Sequence, residues 1–119
     1  MSEGSTTFEL RVPTDPALAI TVRAFVRTSG PALGLSNEDI ETLCLAATEL
    51  LANAFETHEP TLQLTLSAEG GRWTLRANGV GPFHSVPNGD IDRRALLSGI
   101  ATVSVEPGGR VELAPAVLD

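Results

Sequence analysis

The sequence predicts an α/β (α+β) two-layer sandwich, with a mixed, mostly antiparallel sheet and its helices on one face. Three observations carry this. Stretches with apolar residues at every second position alternate with stretches where they recur at steps of three and four, in the order β-α-α-β-β-loop-α-β-β. Two pairs of neighbouring strands are joined by turns as short as Glu69-Gly70-Gly71 and Pro107-Gly108-Gly109, which suit antiparallel partners. The longest helical stretch, Ser36 to Glu59, gathers its apolar residues on one side, as a helix lying on a sheet requires.

Taken in order, residues 1–6 are small and polar and read as a loose tail, leaving 7–119 as a single domain. Thr7 to Val12 alternates, with Phe8, Leu10 and Val12 on one face, and Pro13 ends that strand. Thr14 or Asp15 caps a helix with Pro16 in its first turn. Leu18, Ile20, Val22, Phe25 and Val26 carry that helix to about Ser29, where Gly30-Pro31 is expected to break it. Ser36 or Asn37 caps the long helix, and Glu38 and Asp39 suit its positive end.

Ile40, Leu43, Cys44, Ala47, Leu50, Leu51 and Ala54 form the apolar stripe of the long helix, with Cys44 a small buried member of it. Pro60 bars any continuation. Leu62 to Leu66 and Arg72 to Ala77 form a hairpin, with Trp73 and Leu75 on one face of its second strand. Asn78 to Asp90 is a Gly/Pro/Asn-rich loop, the kind of segment that often carries function. Ile91 to Ile100 reads as a short helix, and Thr102 to Val105 with Arg110 to Leu113 as a last hairpin.

Composition narrows the function. Fifteen acidic residues against eight basic ones give a net charge of −7, which opposes direct nucleic-acid binding and suits a basic protein partner. All eight basic residues are Arg, so no mechanism that needs a lysine is open to the chain. A single Cys44 excludes an internal disulfide and a cysteine-cluster metal site. The N-terminus has no signal-peptide pattern and no apolar run reaches the ~20 residues of a membrane span. A cytoplasmic location without membrane attachment is therefore expected.

One polar pair is spaced like a site. Glu49 and Asn53, four residues apart in E-L-L-A-N-A, share one face of the long helix roughly opposite its apolar stripe, and so are expected to point away from the core. Their oxygens suit a hard cation, although E-x-x-x-N is also an ordinary polar face. Downstream, Ala77-Asn78-Gly79-Val80-Gly81 follows the second hairpin strand. By itself NGVG is an ordinary turn. His58 and His84 lie far apart with no third partner at ligand spacing, and read as surface residues. Arg93 and Arg94 have the chemistry to hold phosphate, but on a short helix they read as solvated.

The element order, a long helix ending TELLANAF and a strand running into NGVG together resemble the GHKL (histidine-kinase-like) ATPase domain with its Bergerat-like fold. The nearest branch is the small anti-sigma-factor serine kinases of bacterial partner-switching systems. The resemblance spans the chain from first strand to last hairpin and implies roles for particular residues. Glu49 would activate or orient a water as the catalytic residue, and Asn53 would coordinate the Mg²⁺ of Mg-ATP. Asn78, Gly79 and Gly81 would belong to the adenine-binding turn. The match is incomplete. Ala77 stands where the family has an Asp that accepts from the adenine amino group, and alanine cannot accept. A buried amino group without its acceptor costs about 1–3 kcal/mol, or roughly ten- to a hundredfold in affinity. The phosphate-binding Gly-rich turn is also missing. Its position, GDIDRRALLSGIA, offers only Gly89 and Gly99, with Asp90 and Asp92 where phosphates would lie.

The expectation is thus a regulator that acts by protein–protein binding, with ATP binding weak or lost and hence neither ATP nor Mg a resident cofactor. The resemblance names a sigma factor or an anti-sigma antagonist as the partner and implies a homodimer, because domains of this branch often pair. The alternative is an active ATP-dependent serine/threonine kinase that phosphorylates an antagonist protein through Glu49, Asn53, Gly79 and Gly81. A third reading places a different ligand in a cleft beneath NGVGPF.

Overall fold

A computed structural model describes residues 6–83 and 92–117. Strand β1 spans Thr7–Pro13, followed by a single 3-10 turn at Pro16–Leu18 and helix α1 at Ala19–Ala32. Helix α2 covers Asn37–Glu56, β2 Thr61–Glu69, β3 Arg72–Asn78, α3 Arg93–Ile100, β4 Ala101–Val105 and β5 Val111–Pro115. The expected order of elements holds. The strands form one sheet in the order β1-β2-β3-β5-β4. Every pairing in it is antiparallel, so the sheet is not mixed as the sequence reading allowed.

Alternation sets the two layers. Leu62, Leu64 and Leu66 of β2, Trp73, Leu75 and Ala77 of β3, and Val111 and Leu113 of β5 are all buried on one face. Between them stand Gln63, Thr65, Thr74, Arg76 and Glu112, none of them buried, on the other face. The buried face meets α2, whose whole apolar stripe from Ile40 to Ala54 is buried, with Ala46 added to it. Cys44 lies in that stripe, and burial pushes its thiol above the usual range. Ser36 starts α2 by accepting from the Asp39 N–H at 3.1 Å, and Glu38 and Asp39 sit in its first turn.

Two boundaries differ from the sequence reading for physical reasons. Helix α1 does not break at Gly30-Pro31 but runs to Ala32, with Pro31 inside its last turn. Gly30 is there for closeness: a Cβ on it would lie 2.7 Å from Ile40 Cγ1, so its absence lets α1 press against α2. Helix α2 stops at Glu56 because His58 adopts φ 62°. The Glu59 N–H then reaches back to the Ala54 carbonyl at 2.9 Å and the His58 N–H to the Phe55 carbonyl at 3.1 Å, a Schellman closure. Helix α3 starts at Arg93, capped by Asp92, whose side chain accepts from the Ala95 N–H at 3.1 Å. The expected start at Ile91 lies outside the described residues, as do the tail to residue 5, His84, Gly89 and Asp90.

No helix among the described residues is long and apolar enough to cross a membrane.

Candidate functional site

The C-terminal half of α2 carries the polar residues singled out by spacing, and the structure gives each a protein partner. Asn53 does not face solvent. It is 5% exposed, because the chain leaving β3 folds across it. Its amide Nδ2 donates to the Val80 carbonyl at 2.9 Å and lies 3.2 Å from the Pro82 and 3.4 Å from the Gly81 carbonyl oxygens. Three carbonyl oxygens around this position call for the amide nitrogen there, since an amide oxygen would have no hydrogen to give them. One α-helical turn further on, the Thr57 hydroxyl sits 3.1 Å from the same Val80 carbonyl and 2.9 Å from the Asn53 carbonyl, and it has one proton to give.

The two glycines of NGVG serve this closure. Gly79 has φ 81°, and a Cβ there would lie 2.0 Å from the Thr61 carbonyl oxygen. Gly81 has φ 79°, and its Cβ would lie 2.0 Å from Thr57 Oγ1. Both positions need the left-handed backbone and both lack room for a side chain. Between them Val80 is fully buried. The space the glycines open is thus filled by Thr57 and by the start of β2.

Ala77 and Asn78 leave the adenine contact without an acceptor. Ala77 is fully buried, paired with Leu64 on β2 and Val111 on β5. Asn78 turns to the opposite face, where it is exposed and its Oδ1 accepts from Arg110 Nε at 3.4 Å. Register, not distance, keeps Asn78 from replacing Ala77, since neighbours on a strand point to opposite sides.

Glu49 has a partner that spacing did not reveal. Arg93, the first residue of α3, donates from Nε to Glu49 Oε1 at 2.9 Å. Its Nη1 and Nη2 reach the Glu56 carboxylate at 2.6 and 3.3 Å. Arg93 is therefore not a solvated surface arginine; its side chain is 20% exposed and bridges two carboxylates on α2. The Arg93 guanidinium holds the Glu56 carboxyl below its ordinary range, and Glu56 in turn raises Arg93. Arg94 has no resolved partner of this kind among the described residues. Sequence reasoning missed Glu56 and Thr57 as well. Their signal was present, since positions 49, 53, 56 and 57 fall on one helical face at steps of four, three and one.

A separate cleft of about 340 Å³ opens on the far side of the loop. Gly79, Gly81, Pro82 and Phe83 form one wall, Glu59 another, and the β4–β5 turn from Val105 to Gly109 the third. Glu49 and Asn53 do not line it. Among the described residues its ionisable lining is acidic, Glu59 and Glu106, and Glu106 lies 3.7 Å from Arg110. No cluster of three or more His, Cys, Asp or Glu side chains capable of holding a metal occurs among the described residues. His58 sits exposed at the helix end, where its role is the αL turn.

The sequence matches no protein-family model and no curated protein. The resemblance to the GHKL domain consequently rests on the motif residues themselves.

Proposed function

We propose that this chain is a cytoplasmic regulatory domain that works by binding another protein, and that its GHKL-like nucleotide site has been converted into internal structure. The observation that carries the reading is the occupancy of the motif residues by their own chain. Asn53 spends its amide on the carbonyls of residues 80–82. Glu49 is held by Arg93, and the glycine cradle is filled by Thr57 and Thr61. Mg-ATP does not fit this donor set. The adenine acceptor is replaced by a buried alanine, and a cleft beside the glycines presents Glu59 and Glu106 among the described residues, whose charge opposes a triphosphate. The net charge of −7 favours a partner with a basic surface, as a sigma factor or an antagonist protein would need to supply.

Isothermal titration of the protein with Mg-ATP tests the reading. The expected result is no saturable heat below about 1 mM nucleotide, weaker than roughly −4 kcal/mol. Micromolar binding would overturn it and favour the kinase alternative, for which Glu49→Ala would then have to abolish phosphate transfer to a serine-bearing protein.

A further inference from the structure

Helix α2 carries a second stripe that the sheet does not cover. Glu41, Leu45, Thr48, Ala52 and Phe55 recur at alternating steps of four and three, the spacing of a seam that packs against another helix. None of the five is buried. Leu45 is 42% exposed and Phe55 49%. Thr48 keeps its hydroxyl on its own helix, 3.0 Å from the Cys44 carbonyl oxygen.

Helix α1 runs beside this stripe in the opposite direction. Arg27 Nη1 donates to Glu41 Oε2 at 2.7 Å, and Cys44 Sγ lies 4.0 Å from the Arg23 carbonyl oxygen. About two turns along from the Arg27–Glu41 pair stand Ile20 on α1 and Thr48 on α2. Ile20 therefore comes level with the stripe, on the same side of α1 as Arg27, and it is 71% exposed. Large apolar side chains exposed together on one seam mark an interaction surface, where single scattered ones would not. The charges beside the seam are sorted by helix. Every charged residue of α2 is acidic, and both charged residues of α1, Arg23 and Arg27, are basic. Arg93 sets one positive charge against the two carboxylates Glu49 and Glu56, so the α2 flank stays negative. Arg23 makes no ion pair among the described residues.

We propose that this seam is the docking site for an amphipathic helix of a partner protein. The apolar stripe of that helix lies on Ile20, Leu45, Ala52 and Phe55. Its flank over α2 is basic, and its other flank sets an acidic side chain against Arg23. The inference rests on the reading of the chain as a domain that binds another protein, and it adds the surface and the kind of segment bound. A helix fits because the stripe has helical spacing and runs for ~21 Å from Glu41 to Phe55. An added strand needs an open backbone edge, which the sides of two helices do not offer. An anionic membrane surface is opposed by the acidic flank.

The test uses two synthetic peptides of about 15 residues, each held helical and monomeric by an internal cross-link. Both carry leucines at alternating steps of four and three; one has lysines along a flank, the other glutamates in their place. Binding to the whole chain is read from the fluorescence anisotropy of labelled peptide. The lysine peptide should bind with a Kd below about 100 µM, and the glutamate peptide about tenfold or more weakly. Leu45→Gln and Phe55→Gln change exposed side chains and keep good helix formers, so circular dichroism should be unaltered. Each should weaken the lysine peptide about tenfold. Ile20→Gln reads the same loss from the other helix should either of these fail to fold. No saturation by the lysine peptide up to about 1 mM overturns the proposal. So does equal binding of the two peptides, and so does binding that all three variants retain, which would place the peptide on another surface. A parent chain that sedimentation shows to be a dimer and Leu45→Gln makes monomeric gives the seam to a second copy, and overturns it as well. These outcomes are independent of the Mg-ATP titration, whose failure would overturn the nucleotide-site reading and leave the seam untouched.

Discussion

Replacing Asn53 by alanine separates a structural clamp from a ligand site. The substitution removes the donor to the Val80 carbonyl and the weaker contacts to the Pro82 and Gly81 carbonyls. The Val80 oxygen keeps Thr57 as a second donor at 3.1 Å, so the loss is less than that of a wholly orphaned group. A broken buried hydrogen bond and the small void left by the shortened side chain together cost about 2–3 kcal/mol. For a 119-residue domain this lowers the melting temperature by roughly 8–12 °C. Asn53→Asp is the sharper probe. It keeps the shape, has no N–H to give when ionised, and sets a charge against three carbonyl oxygens, so it should destabilise at least as much as alanine. Urea unfolding followed by circular dichroism, without nucleotide or metal, measures both. If both variants unfold within about 0.5 kcal/mol of the parent, Asn53 does not hold the loop and the clamp account fails.

Two further predictions concern the same region. Arg93→Met should cost about 1–2 kcal/mol near pH 7, an amount kept modest by the exposure of Glu56. Because Arg93 lowers the Glu56 carboxyl, the part of that stability due to this pair is complete above the ordinary carboxylate value of 4.5 and is lost as pH falls through the lowered one. The gap between variant and parent should therefore narrow as pH falls below 4.5, and a gap that stays equal throughout the acid range would show that packing, not the ion pair, makes the difference. Gly81→Ala should destabilise by about 3 kcal/mol, through both its positive φ and its collision with Thr57. Combined with Thr57→Ala it should cost about 1 kcal/mol less than the sum of the two single changes, and strict additivity would mean that the two residues do not press on each other.

How much of this was legible in the sequence depended on range. The stripe from Ile40 to Ala54 needed only helical periodicity, and all of it is buried. The hairpin strands followed from alternation and from Gly70-Gly71, both with positive φ. Gly30-Pro31 was misread because its local signal, a helix breaker, is outweighed by a tertiary one: the missing Cβ that admits Ile40. The wheel sets Asn53 and Glu49 on the side of α2 away from the stripe, yet it cannot say what covers that side, and Asn53 is buried there. The answer lies 27 residues downstream in Val80 for Asn53 and 44 residues downstream in Arg93 for Glu49. No periodicity reports contacts of that span. The glycines of NGVG were visible as a turn, whereas the reason two are needed, the approach of Thr57 and Thr61, appears only when the chain is folded.

The central claim is that Asn53 holds its own chain and not a nucleotide-bound cation. It is tested most directly by following the Asn53 side-chain amide in ¹⁵N-resolved nuclear magnetic resonance while Mg-ATP is added. The two Nδ2 proton signals should be well separated, as one is bonded to the Val80 carbonyl, and both should stay in place, together with the Gly79 and Gly81 amides, to about 1 mM nucleotide. Saturable movement of these signals at micromolar Mg-ATP would contradict the account.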